Sequence, residues 1–192
     1  MREELDKKLC EKYPKIFANR NKGMQETCMC WGFSHGDGWY NIINALCANI
    51  QHHVDWSEKQ YADTLKYNQM LVDMQAGNFE SFDEYMSGLS EDFKIRRKEE
   101  LLVAELRPVR EPCSQVVADQ VKEKFGTLRF YVTGGDEYVR GLISMAESMS
   151  AVTCEECGDV GTRRGSGWVH TYCDKHEDEY QQRMKERFNG TD

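Results

Sequence analysis

The chain has 192 residues, 40% of them apolar and 30% charged, with a formal net charge of -8. That length and aromatic content exclude a disordered tail and a peptide that must be stapled throughout, and allow one main domain with a small appendage. The acidic balance excludes a broad phosphate-backbone partner, because counterion release needs Lys and Arg that carboxylates do not outnumber.

The opening "MREELDKKLCEKYPK" lacks the apolar stretch of a signal peptide, and no run of eighteen or so apolar residues follows it. The expected setting is the cytoplasm, with no membrane partner. Eight cysteines there read as metal ligands and buried thiols rather than a disulfide framework, since cytosolic thiols are kept reduced.

Residues 1–23 form a charged amphipathic segment in which Leu5, Leu9, Tyr13, Ile16 and Phe17 share one helical face until Pro14 interrupts. A short extended run is expected to reach Phe33, followed by a glycine-rich bend. Trp39, Ile42, Ile43, Leu46, Cys47 and Ile50 then recur at three- and four-residue steps, the stripe of a buried helix. His52 and His53 fall at its expected end, where cationic side chains suit the helix dipole.

Residues 57–76 read as a second helix with a looser stripe, stopped by "AGN" at 76–78. A short helix around "FDEYM" follows, then a longer one through "SEDFKIRRKEELLVAELR" that Pro108 should end. The basic run Lys94 to Lys98 is followed at once by Glu99 and Glu100, which makes it a solvated helix face. "TLRFYV" is rich in β-formers and closes on Gly134 and Gly135, with "QVVADQV" as its hairpin partner or, alternatively, a short helix at 114–124. Residues 136–150 return to helical spacing and lead into Cys154.

Cys154 and Cys157 are spaced C-x-x-C, Cys173 and His176 C-x-x-H, and fifteen residues separate the pairs. These are four ligands of the types that fill a closed, structural Zn2+ site; a catalytic zinc keeps a position open for water. The order knuckle, Gly-rich hairpin, then helix resembles a treble-clef module. His170, two residues after Trp168 on a strand, is expected at the surface or behind the ligands. The fold class is therefore α+β: a helix-rich main domain with a small antiparallel sheet at 1–150, and a treble-clef-like zinc module at 151–192 packed on it.

With the metal read as a fastener, attention moves to "CMCWGFSHGDGWYN", which sets Trp31, Phe33, Trp39 and Tyr40 around three glycines with His35 and Asp37 between them. Backbone amides there can receive an anion while an aromatic face stacks on a base, the pattern of a nucleotide-like pocket. His35 and Asp37 can alternatively serve acid-base chemistry, or Asp37 caps the helix while the aromatics fill the core. Cys28 and Cys30, on the expected strand, read as buried or reactive thiols, as does Cys47. The "TGGDE" loop, with Asp136, joins a strand to a helix and is grouped with the bend as ligand surface.

The blocks "KYPKIF", "MQETCMCWGFSHGDGWYNII", "QVKEKFGTLRFYV" and "TCEECGDVGTRRGSGWVHTYCDKH" together resemble a set of small proteins encoded by tailed bacteriophages and prophages. The resemblance covers most of the chain outside roughly residues 55–110 and implies a setting in the cytoplasm of an infected bacterium, without implying an activity or catalytic residues. Small phage accessory proteins often act by binding, so the expected function is a zinc-stabilised binding protein in host takeover or counter-defence. Its expected partner is a nucleotide-like signal or a host protein, and the sequence leaves an oligomer open. The alternatives are a small hydrolase acting on a nucleotide-like substrate and a zinc-dependent nucleic-acid binder using Arg163 and Arg164.

Overall fold

Six α-helices and two small antiparallel hairpins make up an α+β fold in the computed structural model, which describes residues 1–189. The chain divides into two compact units, Met1–Val54 with Cys113–Asp192, and Asp55–Pro112. The division therefore runs at 54 and 113 rather than at 150, and the cysteine-rich module shares a unit with the N-terminal third.

In the first unit, α1 (Glu3–Lys12) carries acidic residues in its first turn and Lys12 in its last, as the dipole favours. Leu9, Tyr13, Ile16 and Phe17 are buried as the spacing requires, and the backbone carbonyl of Ile16 accepts from the Ala118 amide at 2.7 Å. The expected extended run before Phe33 is instead a 3-10 turn, Cys28–Trp31, capped by the Thr27 hydroxyl accepting from the Met29 amide. Cys28 is exposed and Cys30 half-buried, its thiol 3.1 Å from the Thr27 carbonyl, so the two do not share a strand face.

Helix α2 (Tyr40–Gln75) starts after a second 3-10 turn, Asp37–Trp39, and buries Ile42, Ile43, Leu46, Cys47, Ile50 and Val54. It continues through His52 and His53, because nothing between them and Gly77 breaks a helix: no Gly or Pro intervenes. The two helices expected over 39–76 are thus one, with a solvated middle.

Strands β1 (Val117–Lys124) and β2 (Thr127–Thr133) pair antiparallel, with a bulge between Ala118 and Gln120. Phe125 at φ 55 and Gly126 at φ 77 make the two-residue turn, both left-handed as a tight hairpin demands. The helical alternative for 114–124 does not occur. Helix α5 (Glu137–Ser150) is capped by Asp136, whose carboxylate accepts from the Val139 amide. Phe17, Phe33, Trp39, Ile43, Val121, Leu128, Phe130, Val139 and Ala146 join these elements in one core. Strands β3 (Thr162–Arg164) and β4 (His170–Tyr172) form the second hairpin, and α6 (Asp174–Asn189) follows.

In the second unit, Met70, Leu71 and Met74 of α2 pack with Phe82 and Met86 around α3 (Glu80–Tyr85) and Leu101 of α4 (Glu91–Leu102). Gly77, at φ 90, donates to the Met74 carbonyl while Asn78 donates to that of Asp73, the paired bonds of a Schellman stop. Helix α4 ends six residues before Pro108. The Asn68 amide accounts for this: it exchanges two 2.8 Å hydrogen bonds with the Arg107 backbone, holding that segment out of the helix. The basic run is a solvated face, with Lys94 on Glu91 and Arg97 on Glu100.

Candidate functional site

Cys154, Cys157, Cys173 and His176 converge, their donor atoms all within 4.8 Å of one another. The His176 Nδ1 lies 3.5 Å from the Cys154 Sγ and 3.2 Å from the Cys173 Sγ, and the Cys157 and Cys173 sulfurs are 3.9 Å apart. A tetrahedral ion with zinc-like bond lengths sets such edges at about 3.6 Å for S···N and about 3.8 Å for S···S. The four residues therefore fit one metal ion, with every position filled by protein.

Local sequence builds the site. In the knuckle, Gly158 at φ 85 donates to the Cys154 carbonyl while the Cys154 amide donates to Asp159. The β3–β4 hairpin returns the chain so that α6 starts at Asp174, between its two ligands. His176 Nε2 faces the Glu179 carboxylate at 4.0 Å, a charged neighbour beyond hydrogen-bond reach. His170 is no surface group and no ligand: it is buried, with Nε2 2.7 Å from Glu177 and its ring against Tyr172 and Tyr180. Arg164 of the hairpin is paired with Asp174 at the start of α6, which leaves less of the hairpin's charge for nucleic acid.

The glycine-aromatic bend is the platform on which this knuckle sits. The Gly36 amide donates to a Glu155 carboxylate oxygen at 3.0 Å and the Gly38 amide to the Glu155 backbone carbonyl at 2.7 Å. The Trp39 indole donates to the Thr153 carbonyl at 2.9 Å. The acceptors expected from an outside anion at these amides are thus supplied by Glu155 of the chain itself, 119 residues from Gly36 in sequence. Burial pushes the Glu155 carboxyl up to about 7, against the Gly36 amide, which favours the charged form.

The aromatics of the bend divide. Phe33, His35 and Trp39 are buried and stack in series, with ring centroids 5.9 Å and 5.5 Å apart, so they fill core rather than line a pocket. Trp31 is exposed and Tyr40 half-buried. Asp37 does not cap the helix with its side chain; its carboxylate accepts from the Arg2 amide at 2.7 Å and pairs with the Arg2 guanidinium. His35 and Asp37 are therefore separately engaged, His35 by the Gly36 carbonyl at 2.7 Å, and do not form an acid-base pair. Asp136 joins His53 and Val139 and none of the bend's side chains.

Burial, with a smaller contribution from the Met1 ammonium, holds His35 down at about 4, outweighing the Gly36 carbonyl and Asp37, which favour the charged ring. The unfolded chain, titrating near the ordinary 6.5, binds the extra proton between those values, so stability is complete above about pH 6.5 and falls as pH drops toward 4. The loss reaches at most about 3 kcal/mol. Urea midpoints measured at pH 7 and pH 5 should lie closer together in His35→Gln than in the unaltered protein.

A cleft of about 510 Å3 opens in the second unit, lined by Gln60, Asp63, Lys66, Tyr67, Tyr85 and Arg107 among others. The Arg107 guanidinium lies 3.6 Å from the Tyr67 ring centroid, its backbone fixed by Asn68, and Tyr85 meets Tyr67 edge-on at 6.5 Å. Sequence reasoning missed this cleft because its wall joins a helix to the irregular segment before Pro108. It also missed His53 and Cys113, which no local spacing links to Asp136. No family model, curated protein or solved structure matches this chain. No described helix is long and apolar enough to cross a membrane.

Proposed function

We propose that this is a zinc-stabilised binding protein of bacteriophage origin that acts in the host cytoplasm, in takeover or counter-defence, by holding a nucleotide-like signal without turnover. The filled Cys154, Cys157, Cys173, His176 set, in treble-clef order, suits a fastener rather than a catalyst. Zn2+ is the ion this donor set favours, since three thiolates and an imidazole are its ordinary closed coordination.

The observation that carries the binding reading is the cleft beneath Tyr67 and Arg107. Its volume falls in the range of small-molecule sites, roughly 300–1,000 Å3. Tyr85, 62% exposed, offers a face for a base, and Lys66 and Arg107 offer charge for a phosphate. Asp63 and Glu84 in the same wall suit base amino groups or ribose hydroxyls and oppose extended polyphosphate. A nucleoside monophosphate or a cyclic nucleotide is the class that fits.

Calorimetric titration of the full chain with such nucleotides should show binding that weakens at least about tenfold in Tyr85→Ala and in Arg107→Ala, the loss expected for one stacking partner or one charge-assisted contact. Affinity in both variants equal to that of the unaltered protein would show that the cleft does not bind the nucleotide. Appearance of a hydrolysed product would instead favour a hydrolase.

A further inference from the structure

Three side chains from distant parts of the sequence meet away from the Cys3His centre. His53 Nε2 lies 2.8 Å from Asp136 Oδ2, and the Cys113 sulfur joins them, with all three donor atoms within 4.8 Å of one another. We propose that His53, Cys113 and Asp136 form a second metal site, for a zinc-class divalent ion with one coordination position left to solvent.

The scaffold holds each donor in place. His53 stands on α2, whose Gln51 exchanges side-chain amide hydrogen bonds with Gln115 at 3.2 Å. The Gly135 amide reaches back to the Ser114 hydroxyl at 3.0 Å, and Gly134 lies so near that a Cβ there would sit 2.2 Å from the Gln115 carbonyl. These contacts bring the segment carrying Cys113 against the loop carrying Asp136. Asp136 is fixed in turn by capping α5 through its other carboxylate oxygen, 3.1 Å from the Val139 amide. The Tyr138 ring lies over the His53 imidazole at 4.4 Å between centroids. Donors locked by packing and hydrogen bonds are what a metal site requires.

The donor types select the ion. Imidazole, thiolate and carboxylate together favour Zn2+ and its borderline-soft neighbours, whereas Mg2+ and Ca2+ take oxygen ligands. One thiolate and one carboxylate neutralise the charge of a divalent ion. Cys113 is buried, but the Asp136 side chain remains 43% exposed, so the fourth position opens outward. This is the reverse of the Cys3His centre, and it leaves room for a water or an anionic ligand. On binding, the ion takes the place of the Cys113 thiol proton, which is released to solvent, and binds the neutral His53 imidazole at Nε2 with its N–H carried on Nδ1.

Native mass spectrometry of the full chain titrated with Zn2+ tests the site. The unaltered protein should reach two ions per chain. Cys113→Ser and Asp136→Asn should each keep the first and bind the second at least about 100-fold more weakly, as loss of a ligand exceeds the 10–100-fold cost of losing an outer partner. Asp136→Asn serves if Cys113→Ser folds poorly, because asparagine caps a helix as well as aspartate does. With Co2+ as probe, the thiolate charge-transfer absorption of the second equivalent should vanish in Cys113→Ser. A single ion per chain at saturating Zn2+, or a second ion bound by both variants as tightly as by the unaltered protein, would overturn the proposal.

Discussion

Cys154→Ser should lower stability by about 3–5 kcal/mol, a fall in Tm on the order of 10 °C for a chain of this size, as expected when a structural ligand is lost. Cys154 is the fully buried ligand of the four, and its own backbone closes the knuckle through Asp159 and Gly158. The neighbouring Thr153 carbonyl anchors the Trp39 indole, so loosening the knuckle also withdraws a partner from the main core. Scanning calorimetry with and without a strong chelator separates the causes. Chelator should bring the unaltered protein down to the level of chelator-treated Cys154→Ser and lower the variant by much less. Cys28→Ser, at an exposed thiol, should stay within about 0.5 kcal/mol. An unchanged Tm in Cys154→Ser would mean that the four residues do not fasten the module.

What the sequence made legible was local. The C-x-x-C and C-x-x-H pairs lie on a knuckle and at a helix start, so spacing alone placed four donors that the fold brings within 4.8 Å. The stripe from Trp39 to Ile50 and the hairpin about Gly126 were legible for the same reason, since periodicity and turn chemistry act over a few residues. The misreadings at the site concern long-range partners. Asp37 has the right place to cap a helix, yet Arg2 claims it from 35 residues away. The Gly36 and Gly38 amides look free for an anion until Glu155 arrives. His53, read as a helix end, belongs instead to a constellation with Asp136, 83 residues on.

Gly38→Ala should be about as damaging as loss of a metal ligand, although it removes no donor. A Cβ at this position would lie 2.1 Å from the Cys154 carbonyl oxygen, 2.4 Å from the Gly158 amide nitrogen and 2.7 Å from the Glu155 carbonyl. All three are backbone atoms of the knuckle, so no side chain can swing aside, and the bend and knuckle must separate. Separation costs the Gly38 amide its bond to Glu155 and the Trp39 indole its bond to Thr153. Those losses, with the strain of an overpacked contact, amount to about 3–5 kcal/mol. The ion should also leave Gly38→Ala faster on challenge with a chelator, because the displaced backbone is the one that carries Cys154 and Cys157. Gly141→Ala provides the contrast: it sits inside α5 with nothing within 4 Å of a new Cβ, and should stabilise by about 0.5–1 kcal/mol. Equal urea midpoints for Gly38→Ala and the unaltered protein would show that the bend does not carry the knuckle, while opposite shifts in the two alanine variants identify close backbone approach, rather than glycine's flexibility, as what position 38 requires.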